Sequence, residues 1–187
     1  GIPALFVNND VIAVSGVTQD YQRLTNSYEP KGMGIGYSID SGLSWTYMHQ
    51  PIDSDTLYNI VWGEDTLDVL AVTTDINNVS YDIGIKDHYL YATSWAGGLR
   101  RFNYLNSDSS YWEIIPLPED NQESLICNLI EEEEYELNPR DPNDGGNHNH
   151  KGFSVLGTND YLWVGTANGI NRGTINGDCI DWYHQTI

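Results

Sequence analysis

Short hydrophobic runs alternate with turn residues along nearly the whole chain. Runs rich in Val, Ile, Tyr and Trp are separated by Asn, Asp, Gly and Ser, and 18 Gly and 7 Pro are spread among them. This spacing is typical of an all-β protein. The predicted strands cover residues 5–7, 11–15, 34–39, 45–50, 58–62, 67–73, 79–85, 89–94, 99–104, 112–117, 153–156, 161–166, 169–174 and 182–186.

One stretch, residues 123–137, has a pattern that fits a helix. Leu125 and Leu129 lie four residues apart there, as two apolar residues on one helical face do. Four consecutive glutamates, Glu131–Glu134, come next. A run of like charges favours a solvated segment over a packed one.

The chain contains an internal repeat. Residues 81–92 match residues 153–164 at an offset of 72, and each piece has the pattern strand, polar turn, strand. The match continues, with one residue inserted in the first copy, at residues 96–101 and 167–172. A third, looser copy lies near the N-terminus, at residues 9–14 and 34–37.

Each copy is predicted to be a four-stranded antiparallel meander with a tryptophan at its last strand, at Trp45, Trp112 and Trp182. Such a sheet cannot cover both of its own faces, but copies that stack around an axis can, and that arrangement is a β-propeller. A β-sandwich is the alternative, although it gives no reason for an ordered repeat. The expected units are blades at about residues 1–52, 79–118 and 152–187, a hairpin insertion at 53–78 and an acidic loop insertion at 119–151.

The number of blades is small for a complete ring. Three to four blades fall at or below the lower end of the roughly 4–8 blades of known propellers. The chain also begins at Gly1 directly in a strand-like segment. We therefore expect a fragment of a larger ring, whose remaining blades or domains cover the exposed strand edges and apolar faces.

Two segments resemble known propeller motifs. Residues 162–172 contain Leu-Trp-Val-Gly-Thr followed by Gly-Ile-x-Arg, which resembles the two-component-regulator propeller repeat, and residues 90–102 are a weaker copy. Residues 38–45, Ser-Ile-Asp-Ser-Gly-Leu-Ser-Trp, resemble the Asp-box hairpin of sialidases and sortilin-type receptors. The first resemblance implies a periplasmic sensor region in some relatives, and the second implies a structural motif away from any catalytic face.

The chemistry of the second motif agrees with a structural role for Ser38, Asp40, Gly42 and Trp45. The side chains of Ser38 and Asp40 are expected to accept hydrogen bonds from backbone N–H groups across the hairpin, and Gly42 to take the strained turn position. Trp45 is expected to be buried between blades.

The charge balance excludes several classes of protein. Eight Lys+Arg against 27 Asp+Glu give a net charge of −19, which excludes a nucleic-acid binder, since such proteins need clustered cations. No apolar run approaches the roughly 20 residues that span a bilayer, so no membrane insertion is expected. The 13 Tyr and 6 Trp argue against disorder. The acidic, Lys-poor and aromatic-rich composition is more typical of an extracellular, cell-surface or periplasmic protein than of a cytosolic one.

Cys127 and Cys179 are the only cysteines. In an exported protein they are expected to form a disulfide, whereas in the cytosol they would stay reduced. The composition favours the disulfide. No His or Lys lies near either cysteine in sequence to activate a nucleophile.

A loop rich in polar residues offers candidate metal ligands. Asp141, Asn143 and Asp144 carry hard oxygen atoms suited to Ca²⁺, although their spacing is not that of an EF-hand. His148 and His150 are two apart, so on a strand they would share one face and help to bind a transition metal. A flexible polar loop explains the same residues and is the favoured interpretation. We expect no required cofactor, with Ca²⁺ as the candidate ion.

The sequence gives little support for catalysis. A sialidase would need an arginine triad, but the Arg-Ile-Pro signature is missing, and Arg100-Arg101 is the one cationic cluster. That cluster is expected to pair with nearby carboxylates, and the alternative is that it binds an acidic ligand. The sequence therefore predicts a non-catalytic binding or scaffolding module that recognises a protein or a glycan. The alternatives are part of a sialidase-like glycoside hydrolase, or a calcium-stabilised structural surface protein.

Overall fold

The computed structural model describes residues 1–53, 58–106, 111–128 and 135–187, and its fold is all-β, as the sequence predicts. The N-terminal sheet consists of β1 (Leu5–Asn8), β2 (Val11–Gln22), β3 (Ser27–Ser38) and β4 (Thr46–Met48). The small sheet consists of β5 (Tyr58–Trp62), β6 (Asp65–Val69) and β12 (Glu136–Leu137). The central sheet consists of β7 (Ser80–Lys86), β8 (Tyr89–Ser94), β9 (Gly98–Asn103) and β10 (Glu113–Ile115).

The C-terminal sheet consists of β13 (Gly152–Gly157), β14 (Leu162–Thr166), β15 (Gly169–Asn176) and β16 (Cys179–Thr186), with β11 (Ser124–Leu125) added beside β16. Short 3₁₀ turns occur at Tyr104–Asn106, Pro142–Asp144 and His148–His150. Strands that follow one another in these meanders are antiparallel neighbours, whereas β12 joins β6 in parallel. None of the four sheets described here closes on itself.

The central sheet lies between the two other large sheets. One hydrophobic cluster joins it to the N-terminal sheet through Ile83, Ile85, Leu90 and Phe102 on one side and Ala13, Ile35 and Tyr37 on the other. A second cluster joins it to the C-terminal and small sheets through Tyr91, Leu99, Leu162, Trp182 and Leu67, among others. The three large meanders are therefore layered, and within the described part of the chain only the central one is covered on both faces.

Strands β7 and β13 lie side by side without belonging to the same sheet. The carboxylate of Asp82 on β7 accepts a hydrogen bond of 2.9 Å from the backbone amide of Val155 on β13. A Cβ atom at Gly84 would lie 3.0 Å from the carbonyl oxygen of Val155, and one at Gly157 would overlap the carbonyl oxygen of Ile85. Glycine is therefore needed where these two backbones approach each other.

The internal repeat has a counterpart in the strand register. In the central sheet a β-bulge falls between Ser80 and Asp82, and in the C-terminal sheet one falls between Gly152 and Ser154. The offset of 72 residues found in the sequence relates these two irregularities. Tyr81 and Phe153, the residues skipped by the two registers, place their rings 5.9 Å apart.

The hairpin of β2 and β3 is longer than predicted. The apolar pattern predicts strands at residues 11–15 and 34–39, but each strand has 12 residues. The extension pairs Tyr21 with Tyr28, among other residues. Because its side chains are mainly polar, backbone hydrogen bonds rather than a buried face define it, and the hydrophobic pattern gives no sign of it.

Residues 123–137, the one stretch whose pattern fits a helix, contain no helix in the part that the structure describes. Leu125 is buried in β11, where it pairs with Trp182, and Leu137 pairs with Val69 in the small sheet. Tertiary pairing of these leucines overrides the four-residue spacing. Residues 129–134, including Glu131–Glu134, lie outside the described residues, as does Asp108.

Candidate functional site: an aromatic cleft

A cleft of about 840 Å³ lies between the hairpin of β5 and β6 and the outer edge of the central sheet at β9 and β10. Its walls combine aromatic rings with charged groups of both signs. The aromatic residues are Tyr58, Trp62, Tyr89, Tyr111 and Trp112, and the charged residues are Asp53, Arg100, Arg101, Glu113 and Asp178.

Two consecutive arginines of β9 enter the cleft from opposite faces of the central sheet. Arg100 is opposite Ala92 and Arg101 is opposite Tyr91 in the register with β8, and neighbouring residues of a strand point to opposite faces. Arg100 lies 2.6 Å from Asp53, and Arg101 lies 2.6 Å from Glu113. The expectation that this cationic cluster pairs with carboxylates is confirmed.

The carboxylate of Asp53 is the most enclosed charge of the cleft. Its side chain is 3% exposed, and it also accepts a hydrogen bond of 2.8 Å from the hydroxyl of Tyr58. Burial acts to raise the pKa of Asp53, but the charge and hydrogen bonds of Arg100 and the hydroxyls of Thr73 and Tyr58 outweigh it and lower that pKa. Asp53 is therefore an ionised carboxylate.

Arg101 holds the aromatic wall of the cleft. Its Nε donates a hydrogen bond of 2.7 Å to Glu113. Its guanidinium lies 4.6 Å from the ring centroid of Tyr89 and 5.7 Å from that of Trp62. Cation–π contacts of this length fix the orientation of the rings. Glu113 is the more accessible carboxylate, with 37% of its side chain exposed.

Two indole N–H groups in the cleft wall have no hydrogen-bond acceptor. The Nε1 atoms of Trp62 and Trp112 are buried, and neither has a partner within the part of the chain that the structure describes. Trp62 is 3% exposed, while the ring of Trp112 packs 5.5 Å from that of Phe102. An indole N–H is only a donor, and leaving it unpaired costs about 1–3 kcal/mol. A ligand oxygen in the cleft would remove that cost.

The turn at residues 38–45 lies elsewhere, at the end of the N-terminal sheet. The hydroxyl of Ser38 accepts a hydrogen bond of 2.8 Å from the amide of Gly42, and Asp40 accepts one of 2.8 Å from the amide of Ser44. Ser41 and Gly42 have φ values of +58° and +88°. Hydrogen bonds from Ser44 and Ser38 lower the pKa of Asp40 to about 2. These contacts order the turn.

The prediction that Trp45 is buried between sheets is wrong. Trp45 is 50% exposed on the outer face of the N-terminal sheet, and its Nε1 donates a hydrogen bond of 3.2 Å to the carbonyl oxygen of Gly42. Trp112 is partly buried against Phe102, and Trp182 is fully buried. The three repeat tryptophans thus have different surroundings, because Trp45 faces a side of its sheet that no described sheet covers.

The oxygen ligands proposed for Ca²⁺ form a local turn. The carboxylate of Asp141 accepts hydrogen bonds from the backbone amide and the side-chain amide of Asn143, at 3.0 and 2.8 Å, and caps the 3₁₀ turn Pro142–Asp144. Those bonds, the backbone one foremost, lower the pKa of Asp141. Gly145 closes the turn with a φ of +78°. Asp144 lies within this turn.

His148 and His150 do not share a strand face, because they belong to a 3₁₀ turn. His150 is fully buried: its Nδ1 accepts a hydrogen bond of 2.9 Å from the amide of Asn138, and its Nε2 donates one of 3.0 Å to the carbonyl oxygen of Leu117. Both of its nitrogens are therefore occupied. Nowhere in the described residues do three or more His, Cys, Asp or Glu side chains group as metal ligands.

Cys127 and Cys179 lie at disulfide-bonding distance, with their Cα atoms 6.0 Å apart. The pair joins the segment after β11 to the start of β16. Gly63, in the turn between β5 and β6, lies close to both sulfur atoms: an added Cβ atom would be 2.5 Å from that of Cys127 and 2.7 Å from that of Cys179. The φ of Gly63 is +68°. In the described residues we find no helix long and apolar enough to cross a membrane.

The sequence indicates only part of the cleft. Arg100 and Arg101 stand out as adjacent cations, but nothing in the sequence links them to Asp53, Trp62 or Glu113. Those partners come from other strands and loops, up to 47 residues away.

The chain matches no protein-family model, no curated protein and no solved structure. The function is therefore inferred from the geometry of the cleft.

Proposed function

We propose that this chain is a non-catalytic binding module of an exported bacterial β-propeller protein, and that it holds a glycan in the aromatic cleft. The observation that carries the proposal is the pair of indole donors, Trp62 and Trp112, that have no acceptor among the described residues and lie in a cleft that also contains ion-paired carboxylates.

The layered meanders support the propeller part of the proposal. Three antiparallel meanders of four consecutive strands occur in chain order, the last with β11 added at its edge, and the two C-terminal ones carry bulges at equivalent positions. The first strands of those two, β7 and β13, lie together, as inner strands around a common axis would. Within this architecture residues 162–172 are a two-component-regulator-type repeat and residues 38–45 are an Asp-box.

An oxidising compartment suits the cysteine pair. Disulfides persist in extracellular and periplasmic proteins, and Cys127 and Cys179 lie at the required distance. The acidic composition, with 27 Asp+Glu against 8 Lys+Arg, agrees with an exported protein. We therefore place the module outside the cytoplasm.

A glycan fits the groups in the cleft. Sugar hydroxyl oxygens accept hydrogen bonds from the indole N–H groups, and sugar hydroxyl groups donate to the carboxylate of Glu113. Tyr111, which is 72% exposed, offers a ring face for stacking against a pyranose. Each arginine is already paired with a carboxylate, so none of the described residues that line the cleft is a free cation that would require an acidic ligand. A neutral oligosaccharide is the best match.

The paired carboxylates argue for binding rather than turnover. A glycosidase needs one carboxylic acid with a raised pKa and a second carboxylate across the scissile bond. The pKa of Asp53 is lowered instead, and Glu113 accepts two contacts from Arg101. Asp53 is therefore a hydrogen-bond acceptor and not a proton donor.

The proposal is tested by titrating the protein with neutral and acidic oligosaccharides in a calorimeter. Trp112→Phe keeps an aromatic ring but removes the indole N–H group, and should weaken binding of the neutral sugars about fivefold, the value of one hydrogen bond. Tyr111→Ala removes the stacking face and should weaken it about tenfold.

Tyr28→Ala is the matched control, because Tyr28 is 67% exposed but lies on β3, away from the cleft. It should bind as the wild type does. Absence of binding to every sugar, or binding that the two cleft variants leave unchanged, would contradict the proposal. Release of shorter products during the titration would show an enzyme instead.

A further inference from the structure

The two end sheets of the stack each have one uncovered face. The central sheet is covered on one side by the N-terminal sheet and on the other by the C-terminal sheet. The outer faces of those end sheets contact no other sheet among the described residues. We call them the N-terminal outer face and the C-terminal outer face.

The N-terminal outer face is an apolar row across four strands. Leu5, Val14, Gly36 and Tyr47 are directly opposite one another in the register from β1 to β4, so their side chains point to one side. The large side chains of this face are well exposed: Leu5 66%, Val7 59%, Trp45 50% and Tyr47 60%. An apolar patch of this kind marks an interaction surface.

The C-terminal outer face has a similar row with one cation in it. Leu156, Trp163, Arg172 and Tyr183 are opposite one another from β13 to β16. Leu156 is 53% exposed and Tyr183 is 49% exposed. The guanidinium of Arg172 lies 5.0 Å from the ring of Tyr161 and 5.2 Å from that of Tyr183, and its buried Nε has no partner in the described part of the chain.

We propose that these two faces bind each other between two copies of this chain, so that the N-terminal outer face of one copy covers the C-terminal outer face of the other. Inside one chain, each pair of neighbouring sheets is joined by the same kind of contact, with aliphatic and aromatic side chains of one sheet facing those of the next. The intermolecular contact continues that stacking by one more step.

The area of the contact favours two copies joined in a ring. A large side chain has roughly 150–250 Å² of surface, and in the side chains named above about half of it is exposed. When the two faces meet, these side chains would together bury about 700 Å². One such contact is too small for a stable dimer, which buries about 1,200–2,000 Å². Two copies that use both of their faces make the contact twice and reach about 1,400 Å², within that range.

The symmetry of the contact allows a closed ring of two copies. Two different faces meet, so the contact is heterologous, and such contacts give closed rings or open filaments. Two copies with three large sheets each would place six sheets around one axis, a number within the known range for propellers. The inference goes beyond the proposed glycan site and does not depend on it.

The experiment measures molar mass by light scattering over a wide range of protein concentration. The wild type should have twice the mass of one chain. Val7→Glu and Leu156→Glu each place a charge in one face and should each give monomers. Leu24→Glu is the control, because Leu24 is fully exposed in the turn between β2 and β3, outside both faces, and should leave the dimer intact.

Mixing the two variants tests which faces meet. Val7→Glu keeps an intact C-terminal face and Leu156→Glu keeps an intact N-terminal face, so a mixed pair can make one contact. One contact is too small for a stable dimer, so the mixture should show only weak association, seen as a rise in mean mass at the highest concentrations that neither variant shows alone. A wild type that stays monomeric would overturn the inference and assign the faces to sheets of another polypeptide. The inference would also be overturned if one of the two variants, Val7→Glu or Leu156→Glu, dissociated the dimer and the other did not. That result would mean that like faces are paired. Circular dichroism of each variant confirms that the sheets are intact.

Discussion

Asp53 and Arg100 form a buried ion pair of 2.6 Å between residues 47 positions apart in the chain. Asp53 precedes the small sheet and Arg100 lies in the middle of the central sheet, so this contact fixes the distance between the two walls of the cleft. The side chains are 3% and 8% exposed. Each charge therefore depends on the other for compensation, because water is excluded.

Asp53→Asn should destabilise the fold by about 3 kcal/mol or more, since it leaves Arg100 as an uncompensated buried charge. Urea unfolding measures the loss. The control is Asp75→Asn, which breaks the exposed pair between Lys31 and Asp75 and should have little effect. Equal effects of the two variants would show that the cleft pair is not buried in solution.

The same pair should add to acid sensitivity. The folded-state pKa of Asp53 lies below its ordinary value of 3.8. Its contribution to the free energy of unfolding is therefore complete above about pH 4 and declines as the pH falls through the lowered pKa. Asp53→Asn should remove this part of the decline below pH 4, as seen in urea unfolding at successive pH values.

His150 should make the fold less stable at mildly acidic pH. Burial lowers its pKa from 6.5 to about 4, so between these values the unfolded chain binds a proton that the folded chain does not. The free energy of unfolding should be highest above pH 6.5 and should fall by roughly 3 kcal/mol as the pH drops to 4.

Urea unfolding of the wild type and His150→Gln across pH 4 to 7 measures this slope. The variant should be less stable at pH 7, because both ring hydrogen bonds are altered, but its slope should be smaller. His88→Gln, which replaces an exposed histidine, is the control for the loss of an imidazole outside the core. An unchanged slope in His150→Gln would contradict the prediction.

Removing the disulfide should destabilise the fold by up to about 4 kcal/mol, given the 52-residue separation of Cys127 and Cys179. The double variant Cys127→Ser/Cys179→Ser isolates this effect in thermal unfolding. The native protein should take up no alkylating agent before reduction and should gain two labels, by mass, after it. Two labels without reductant would show that the bond does not form.

Gly63 should not tolerate a side chain. An added Cβ would lie 2.7 Å from the sulfur of Cys179, and its φ of +68° disfavours other residues by about 1–2 kcal/mol. Gly177→Ala is the matched control, because Gly177 has a similar φ of +62° with nothing within 4 Å of its Cβ position. Gly63→Ala should lower the melting temperature clearly more than Gly177→Ala, and similar losses would mean that backbone strain alone matters.

The repeat shows how far sequence reasoning extends into this fold. A two-residue hydrophobic period and matching segments 72 residues apart predict the strands of the central and C-terminal sheets, since local alternation reflects which face is buried. The same reasoning places Trp45 in the interior, where it is not. Whether the face of a sheet is covered depends on the next sheet, and no local pattern contains that information.

The amino-acid sequence by itself determined the all-β class, the order of the short strands and the pair of cysteines that can meet, because these depend on composition and on neighbours along the chain. Only the tertiary structure decided that Asp53 reaches Arg100 and that both nitrogens of His150 are occupied. It also decided that Trp62 and Trp112 line one cleft without an acceptor for their indole N–H groups among the described residues. Those relations join residues from different sheets. They arise from how the sheets stack, and stacking is set by contacts over the whole chain rather than by any one segment.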